Sequence, residues 1–581
     1  MKYFEKMLEI CLPLLRVPND YATMNKMDRD EIDRSRDDVG LTIIDCCMVL
    51  GTQRCAFSLY RVFSQCCEKF MKMPLQNWVD MEASMYAFVK IQREILHSTN
   101  NGVKEPYVDQ IMGGSDTSKP FSGVFTASIS IHGFLVSKAP TNKIVSPLRN
   151  TCLDIMGTFS SWLSVHPELL EHVYINSVKS LGMAETRHFA ARVFQDVSHA
   201  CGAHLARSTK LFQNLLKVHL DAVRAPLPKR ELLLITEALA SVVKRLSNDS
   251  AKEALRQLLA PCTVTLKTPN SIENVILILE TMKSVFSSLG RVGRDVDRSM
   301  GEMVYRTVEN IWADMTRLSN EHCMNGKFSE KLCGMYKYLI RFLGHEYFKN
   351  FAQSYCKQMA DLFQKSRQSS FLYASGIAVE SLSNVTQARG MLSQMLFHFT
   401  NTVLALCSNE NNVRNNPDIV EDFFDFCGRY VKYCPDLLLG PSNLERCATK
   451  IFDFCVFSLN VEHREANRSA IFFLQDVLKL GTKKSSRNHE SKHVAIEGMR
   501  KLLNAFAPKL VQMMFTVTAG SLSLGRVDDE DASITRLAYV CVCVFEYLSV
   551  DNSLTLNFFC VCVARTDSRC ANSFQENNFE T

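Results

Sequence analysis

Three blocks of sequence decide the fold: FLYASGIAVESL at Phe371–Leu382, NNPDIVEDFFDFCGRYVKYCPDLLL at Asn415–Leu439 and FSLNVEHREANRSAIFFLQDVLKLG at Phe457–Gly481. Each block carries apolar residues three and four positions apart, which is the spacing that lines one face of an α-helix. Pro417 and Pro435 stand where a helix begins, and Gly481 follows the last apolar turn as a helix stop. Short polar joints separate the blocks. The blocks therefore predict an all-α fold.

An internal repeat extends this pattern. Five positions of one predicted helix match five positions of a later helix at a fixed offset of 38 residues, which is the separation of Arg149 and Arg187. The matched positions are Arg149, Cys152, Ile155, Met156 and Phe159 in the first helix and Arg187, Ala190, Val193, Phe194 and Val197 in the second. Helix pairs that repeat every 40 residues or so are typical of HEAT-type solenoids. The sequence predicts an α-solenoid superhelix of HEAT-like antiparallel helix pairs, with no sheet larger than a stray hairpin over residues 145–534.

The pattern divides the chain into four parts. Helical repeats are predicted over residues 1–97 and 144–534. Between them, residues 98–143 combine the turn-forming GGSDTSKPFSG with VFTASISIHGFLV, whose loose alternation resembles a strand, so we expect a loop or insertion of low order. From residue 535 the apolar runs are short and the end is polar, which predicts a divergent tail over residues 535–581 with poor order in its last dozen residues.

Composition limits the functional classes. The chain has 581 residues, of which 46% are hydrophobic and 22% charged, so it can fold but exceeds one ordinary core. Its net charge of +5 is too mild to indicate direct DNA binding. The 22 cysteines lie mostly within apolar helical faces, which is typical of reduced thiols in the cytosol or nucleus. None of the apolar runs is long enough to predict membrane insertion.

No catalytic motif emerges, and we predict neither enzyme activity nor a cofactor. GRVGRD at Gly290–Asp295 lacks the Lys-Ser/Thr ending of a P-loop and a preceding strand, so it is interpreted as a linker. His489 and His493 are one helical turn apart, but no third metal ligand lies nearby in the sequence and the region is polar. We therefore predict no metal site.

The chain resembles the transportin-SR branch of the importin-β family. The resemblance rests on FLY at Phe371–Tyr373, NNPDIVEDFFDF at Asn415–Phe426 and the HREAN block at His463–Asn467 followed by FLQDVL. Trp78, with Glu82 and Ala83, resembles the WE--EA helix of that family, although Trp78 by itself is typical of a core anchor. The match runs patchily from Asp28 to Ile534, and the sister receptor importin thirteen is the next closest.

This resemblance implies a nuclear import receptor that shuttles between cytoplasm and nucleus. Its cargo would be phosphorylated serine/arginine-rich splicing factors, bound by the repeats over 144–534, and its other partners would be Ran-GTP and phenylalanine-glycine nucleoporins. In this family the Ran-GTP site lies mainly in N-terminal repeats, and the chain resembles the C-terminal part, so we expect weak regulation by Ran-GTP. Two alternatives stay open: an importin-thirteen-like receptor, and a generic HEAT scaffold for protein complexes.

One predicted helix, KLCGMYKYLIR, carries the candidate cargo site. It places Lys337 and Arg341 one turn apart, so that both can bind one ligand. Lys331 lies earlier on the same helix. The corresponding family helix is arginine-rich and binds phosphorylated Arg-Ser segments, so the resemblance implies that Lys331, Lys337 and Arg341 contact phosphate. Gly334 stands where the family has another arginine, and two of the three cations are lysines, which grip phosphate less specifically. The alternative interpretation is a solvated helix face.

Overall fold

The computed structural model describes residues 2–97, 106–113, 121–139, 141–224, 227–459, 463–482 and 489–518. Within these ranges the chain is helical, and the only β-type pairing is an isolated bridge between Val292 and Val296. The predicted all-α class is confirmed. No helix among the described residues is long and apolar enough to cross a membrane.

The described chain forms two compact units. The first contains the residues up to Cys262 together with Ser287–Leu289, and the second contains Thr263–Phe286 and the residues from Gly290 onward. The helices that begin in the first unit are α1 (Lys2–Leu14), α2 (Lys26–Leu50), α3 (Thr52–Lys72), α4 (Trp78–Lys90), α5 (Gln92–His97), α6 (Pro106–Met112), α7 (Val124–Lys138), α8 (Ser146–Thr158), α9 (Ser160–Leu163), α10 (Leu170–Leu181), α11 (Arg187–Arg207), α12 (Thr209–Arg224), α13 (Lys229–Val243) and α14 (Asn248–Lys267).

The second unit continues in the same manner. Its helices are α15 (Ile272–Leu289), α16 (Arg298–His322), α17 (Gly326–Phe348), α18 (Ala352–Ser366), α19 (Ser370–Leu382), α20 (Arg389–Leu406), α21 (Glu410–Asn415), α22 (Pro417–Tyr433), α23 (Pro435–Leu439), α24 (Pro441–Asn443), α25 (Thr449–Leu459), α26 (Arg464–Thr482) and α27 (His489–Thr518). Pro417 and Pro435 are the first residues of α22 and α23, as the sequence predicts.

Helices that follow each other in the chain pack together as pairs, and one member of each pair stacks on its counterpart in the next pair. In the first unit these stacked helices are α4, α8, α11 and α13, which we call the first stacked row. In the second unit they are α17, α19, α22 and α26, the second stacked row. The predicted helix-pair repeat is confirmed, because the matched positions lie in α8 and α11, adjacent members of the first row, and the apolar members of both sets are buried.

The prediction for residues 98–143 needs correction. Two helices lie there, α6 and α7, and the strand-like stretch VFTASISIHGFLV forms most of α7. Its buried side chains include Val124, Ser128, Ile131 and Leu135, which follow helical spacing. Small polar residues on the buried side hide this spacing, so that the sequence suggests alternation. Residues 98–105, 114–120 and 140 of this segment lie outside the described residues, as do the tail over 535–581 and the predicted disorder of its end.

Cysteines behave as small apolar residues in the described part of the chain. The free cysteines there are all buried. Burial raises the pKa of Cys262 and Cys333 to about 12, so both remain protonated thiols at neutral pH. This agrees with their predicted place in apolar helical faces.

A buried ion pair joins three helices at the start of the first unit. Arg36 of α2 lies 2.7 Å from both carboxylate oxygens of Glu82 on α4, and Thr151 of α8 donates to the same carboxylate at 2.7 Å. The Glu82 side chain is 1% exposed and that of Arg36 is 7% exposed. Trp78, one turn before Glu82, is buried as a core anchor, as its sequence context indicates. Glu82 therefore fixes how α2, α4 and α8 meet.

We predict that Glu82→Gln destabilises the first unit by about 3 kcal/mol, because it leaves the buried guanidinium of Arg36 without a counter-charge. The free energy of unfolding in urea measures this loss. Asp80→Asn is the matched control, since Asp80 pairs with Arg16 on the surface, where both side chains are at least 31% exposed. That control should cost at most about 1 kcal/mol. Equal losses in the two variants would contradict the prediction.

Two buried histidines make stability depend on pH. Nε2 of His132 lies 2.8 Å from Oγ of Ser180, and Nε2 of His219 lies 3.2 Å from Oγ1 of Thr236. Both rings are fully buried, and burial lowers the pKa of each histidine to about 4. The folded chain therefore holds both rings neutral at pH values where the unfolded chain protonates them.

We predict that the stability of the first unit falls as the pH drops from about 6.5 towards 4, because protons then bind preferentially to the unfolded state; each histidine adds up to about 1.4 kcal/mol per pH unit. His219→Gln should make this dependence shallower, whereas the exposed His172→Gln should keep the wild-type slope. Urea unfolding across this pH range tests the difference. Parallel profiles for wild type and His219→Gln would refute it.

Candidate functional site

The predicted basic helix is α17, and its apolar side is firmly buried. The helix begins after Asn325, whose side chain accepts a hydrogen bond from the backbone N–H of Phe328 at 3.1 Å. Leu332, Tyr336, Leu339 and Ile340 are buried, while the three predicted cations lie off this side. Helical φ/ψ angles are interrupted at Gly344, where φ is +61°. The basic residues therefore lie on the regular part of α17, before this kink.

Lys331 is already paired with carboxylates. Its Nζ lies 2.8 Å from a carboxylate oxygen of Glu330 and 3.6 Å from one of Glu280 on α15. The hydrogen bond that Lys331 donates to Glu330, with the nearby charge of Glu280, raises the pKa of Lys331. Because two acids share this ammonium group, Lys331 offers a ligand less positive charge than its position on α17 suggests.

Lys337 and Arg341 are better placed for an anion. Nζ of Lys337 donates to the hydroxyl of Tyr373 on α19 at 2.6 Å and lies 5.1 Å from the centre of that ring. An ammonium group has three N–H donors, so this bond leaves others for a ligand. Arg341, one turn further, is exposed and forms no ion pair with any residue that the structure describes. Two of the three predicted cations thus remain available.

A neighbouring helix contributes a cation that the sequence analysis missed. Lys283 of α15 lies across α17 at Gly334, where a methyl group would lie 3.7 Å from Cδ of Lys283. Its Nζ is 5.9 Å from the centre of the Tyr338 ring, and Nζ of Lys337 is 5.4 Å from the same centre. No signal within KLCGMYKYLIR indicates this lysine, because it comes from a different helix. Lys283 only joins the basic surface once the helices stack.

Acidic residues occupy a nearby part of the second stacked row. On α22, burial and then repulsion by Asp425 and its acidic neighbours raise the pKa of Asp422 to about 7. Burial also raises the pKa of Asp425, which is further raised by Asp476 of α26 and lowered by Arg429. Arg429 donates to Glu380 of α19 at 2.9 Å, and its side chain lies 6.0 Å from the Tyr373 ring centre. The row therefore presents a basic part on α17 and an acidic part on α22.

Comparisons with known proteins agree with this architecture. Residues 303–407 match the family model described as the Transportin-3/Importin-13 fourth TPR domain, and this range includes α17 and α19. Transportin MOS14 of Arabidopsis thaliana is 22% identical over 531 residues, covering 90% of this chain and 51% of its own length. Importin-13 of Gallus gallus is 20% identical, covering 57% of this chain and 36% of its own length. The chain is related to the transportins and importin-13.

A solved structure shares the fold of this chain. Importin-13 in its cytosolic state superposes with a TM-score of 0.67 at 16% identity, over 97% of this chain and 64% of importin-13. The all-α solenoid of helical repeats is therefore shared. This chain spans about half the length of Transportin MOS14 and a smaller part of Importin-13. Transportin MOS14 and Importin-13 are transport proteins by name.

The two remaining motifs have no ligand-binding geometry. GRVGRD connects α15 to α16 and folds back on α17, where the backbone N–H of Val292 donates to the carbonyl oxygen of Phe342 at 3.0 Å. The loop therefore acts as a packed linker, as predicted. His493 is exposed, and the side chain of His489 lies outside the described residues. Among the described residues, no three His, Cys, Asp or Glu side chains gather as a metal site.

We predict that Asp422→Asn stabilises the second unit at about pH 8, because the folded state holds this proton more tightly than the unfolded state, whose carboxyl titrates near 3.9. The contribution of Asp422 to the stability of the second unit should fall as the pH rises from about 4 to 7, opposite in sign to that of the buried histidines of the first unit, and the gain from Asp422→Asn should disappear at about pH 4. Urea unfolding at both pH values measures the effect. The exposed Asp361→Asn on α18 is the control and should change little. A loss of stability at high pH would contradict the argument.

Proposed function

We propose that this chain belongs to a nuclear import receptor of the transportin-SR type that carries phosphorylated serine/arginine-rich proteins, such as splicing factors. The proposal is supported by the relation to Transportin MOS14 and Importin-13 and by the family match over residues 303–407. That match includes the basic helix α17. In this proposal Ran-GTP and phenylalanine-glycine nucleoporins are further partners, and the receptor shuttles between cytoplasm and nucleus.

The observation that carries the cargo assignment is the mixed charge of the second stacked row. A phosphorylated Arg-Ser segment alternates guanidinium groups with phosphate dianions. Lys337 and Arg341 offer donors for phosphate, and the carboxylates of Asp422 and Asp425 offer acceptors for arginine on α22, which follows α17 and α19 in the same row. Lys331 takes a smaller part because Glu280 and Glu330 already neutralise it. A surface of both signs suits such a segment better than a ligand of one sign.

An importin-thirteen-like receptor is the second candidate, favoured by the superposition with importin-13. A generic helical scaffold is the third. The three differ in what they require of α17: only the transportin-SR type depends on phosphate recognition by Lys337 and Arg341. Binding of a phosphorylated Arg-Ser peptide, compared with its unphosphorylated form, therefore separates the first candidate from the other two.

We predict that Arg341→Glu weakens binding of the phosphorylated peptide about tenfold or more, because it replaces a charge-assisted hydrogen bond by repulsion. Fluorescence anisotropy with a labelled peptide measures the affinity. Binding of the unphosphorylated peptide should change much less.

Arg317→Glu on α16 is the matched control, because Arg317 is held by Asp314 and Glu321 on its own helix. It should leave peptide affinity unchanged, and thermal unfolding should show that both variants remain folded. If Arg341→Glu binds the phosphorylated peptide as tightly as wild type, or if wild type ignores phosphorylation, α17 is a solvated helix face and the cargo proposal fails.

A further inference from the structure

The contact between Lys283 and Gly334 changes the composition of the candidate site. The aliphatic stem of Lys283 reaches from α15 onto α17 and lies over Gly334, at van der Waals distance from the position that a β-carbon would take. Lys283 is half-buried, so the stem is packed while the ammonium group can reach solvent. A lysine held in this way loses less side-chain entropy on binding than a free surface lysine.

The ammonium groups of Lys283 and Lys337 meet at one aromatic ring. Both lie within about 6 Å of the centre of Tyr338, the range of a cation–π contact. One comes from α15 and the other from α17, so two helices each place a cation beside the same ring. Two cations near one ring suit a doubly charged anion better than a single carboxylate.

The same helix neutralises one lysine and supplies another. Glu280 lies one turn before Lys283 on α15 and pairs with Lys331 at 3.6 Å. As a result, α15 neutralises part of the charge at the first turns of α17 and adds a positive charge at Gly334. The available positive charge therefore lies closer to Lys337 and Arg341 on α17 than to Lys331.

We propose that Lys283 is a further phosphate-binding residue, and that α15 and α17 together form one site for the phosphate dianion of a phosphorylated protein segment. Lys283 and Lys337 bind this group beside Tyr338, and Arg341 reaches it or the next phosphate from one turn further along. This inference rests on the proposed function. A protein segment is favoured over RNA because Glu280, Glu330 and the acidic residues of α22 belong to the same unit and repel a continuous polyanion.

The site composition also changes what Gly334→Arg should do. The sequence alone suggests that an arginine at position 334 strengthens phosphate binding. In the structure an arginine there competes with the stem of Lys283 for the same space. Gly334→Arg should therefore leave affinity close to that of wild type, whereas in a Lys283→Ala background it should restore most of the lost affinity.

The experiment titrates the full chain with a phosphorylated Arg-Ser peptide, its unphosphorylated form and a single-stranded RNA of equal charge. The variants are Lys283→Met, Lys337→Met, Arg341→Glu, Gly334→Arg, Lys283→Ala and the double variant Lys283→Ala/Gly334→Arg. Lys283→Met keeps an aliphatic stem over Gly334 and removes only the charge. Lys283→Met should weaken binding of the phosphorylated peptide about threefold to tenfold, which is the range expected for one charged contact on a partly desolvated surface. Binding of the unphosphorylated peptide should stay unchanged.

Lys357→Met on α18 is the matched control for loss of one exposed lysine and should bind as wild type; thermal unfolding confirms that each variant is folded. If Lys337→Met and Arg341→Glu weaken the phosphopeptide but Lys283→Met does not, Lys283 lies outside the site and the inference fails while the proposed function stands. If no variant at any of these positions affects phosphopeptide binding, both fail. Tighter binding of RNA than of phosphopeptide would overturn the assignment of the ligand.

Discussion

The close stacking of successive helices in each row is the constraint on which the rest of the structure depends. A helix pair of this size cannot bury its apolar stripe alone, so each stacked helix covers the stripe of the next. At several of these contacts a charged side chain of one helix lies across a glycine of its neighbour. A methyl group at Gly376 of α19 would lie 2.5 Å from Cδ of Arg429 on α22. At Gly202 of α11 the guanidinium of Arg245 occupies the corresponding space and donates to the carbonyl oxygens of Ser198 and His199.

This geometry makes the charged surface a property of neighbouring helices rather than of any one helix. Lys331 lies on the predicted basic helix but forms an ion pair with Glu280 of α15. Lys283 belongs to α15 but places its side chain over Gly334 of α17. Arg429 likewise connects α22 to Glu380 and Tyr373 of α19. A substitution on one stacked helix therefore changes the charge that its neighbour presents. Such coupling permits a solenoid of similar helices to vary its ligands without changing its core.

The sequence predicted the parts of the molecule that depend on local periodicity. Helical spacing located the apolar sides of α19, α22 and α26, and the internal repeat located α8 and α11 as equivalent helices. Prediction failed where the buried side of a helix is small and polar, as in α7, because Ser128 and its neighbours conceal the apolar spacing. Prediction also failed for Lys283. The side chain that lies over a glycine of another helix is determined by how the helices stack, and the sequence around Gly334 does not indicate it.

The acidic part of the second stacked row bears on whether the charged surface has a function. A protein selected for stability alone would not retain a half-buried aspartate whose folded-state pKa is raised to about 7, because its ionisation at neutral pH costs stability. Arg429 offsets part of the cost at Asp425 but is itself shared with Glu380. A cationic ligand group that reaches α22 would relieve the repulsion among these carboxylates, and the free energy regained would add to its affinity. In the same unit, Glu280 and Glu330 offset the positive charge of Lys331, while Lys283, Lys337 and Arg341 lie on α15 and α17. The proposed segment of alternating arginine and phosphoserine would complement both the acidic part on α22 and the basic part on α17.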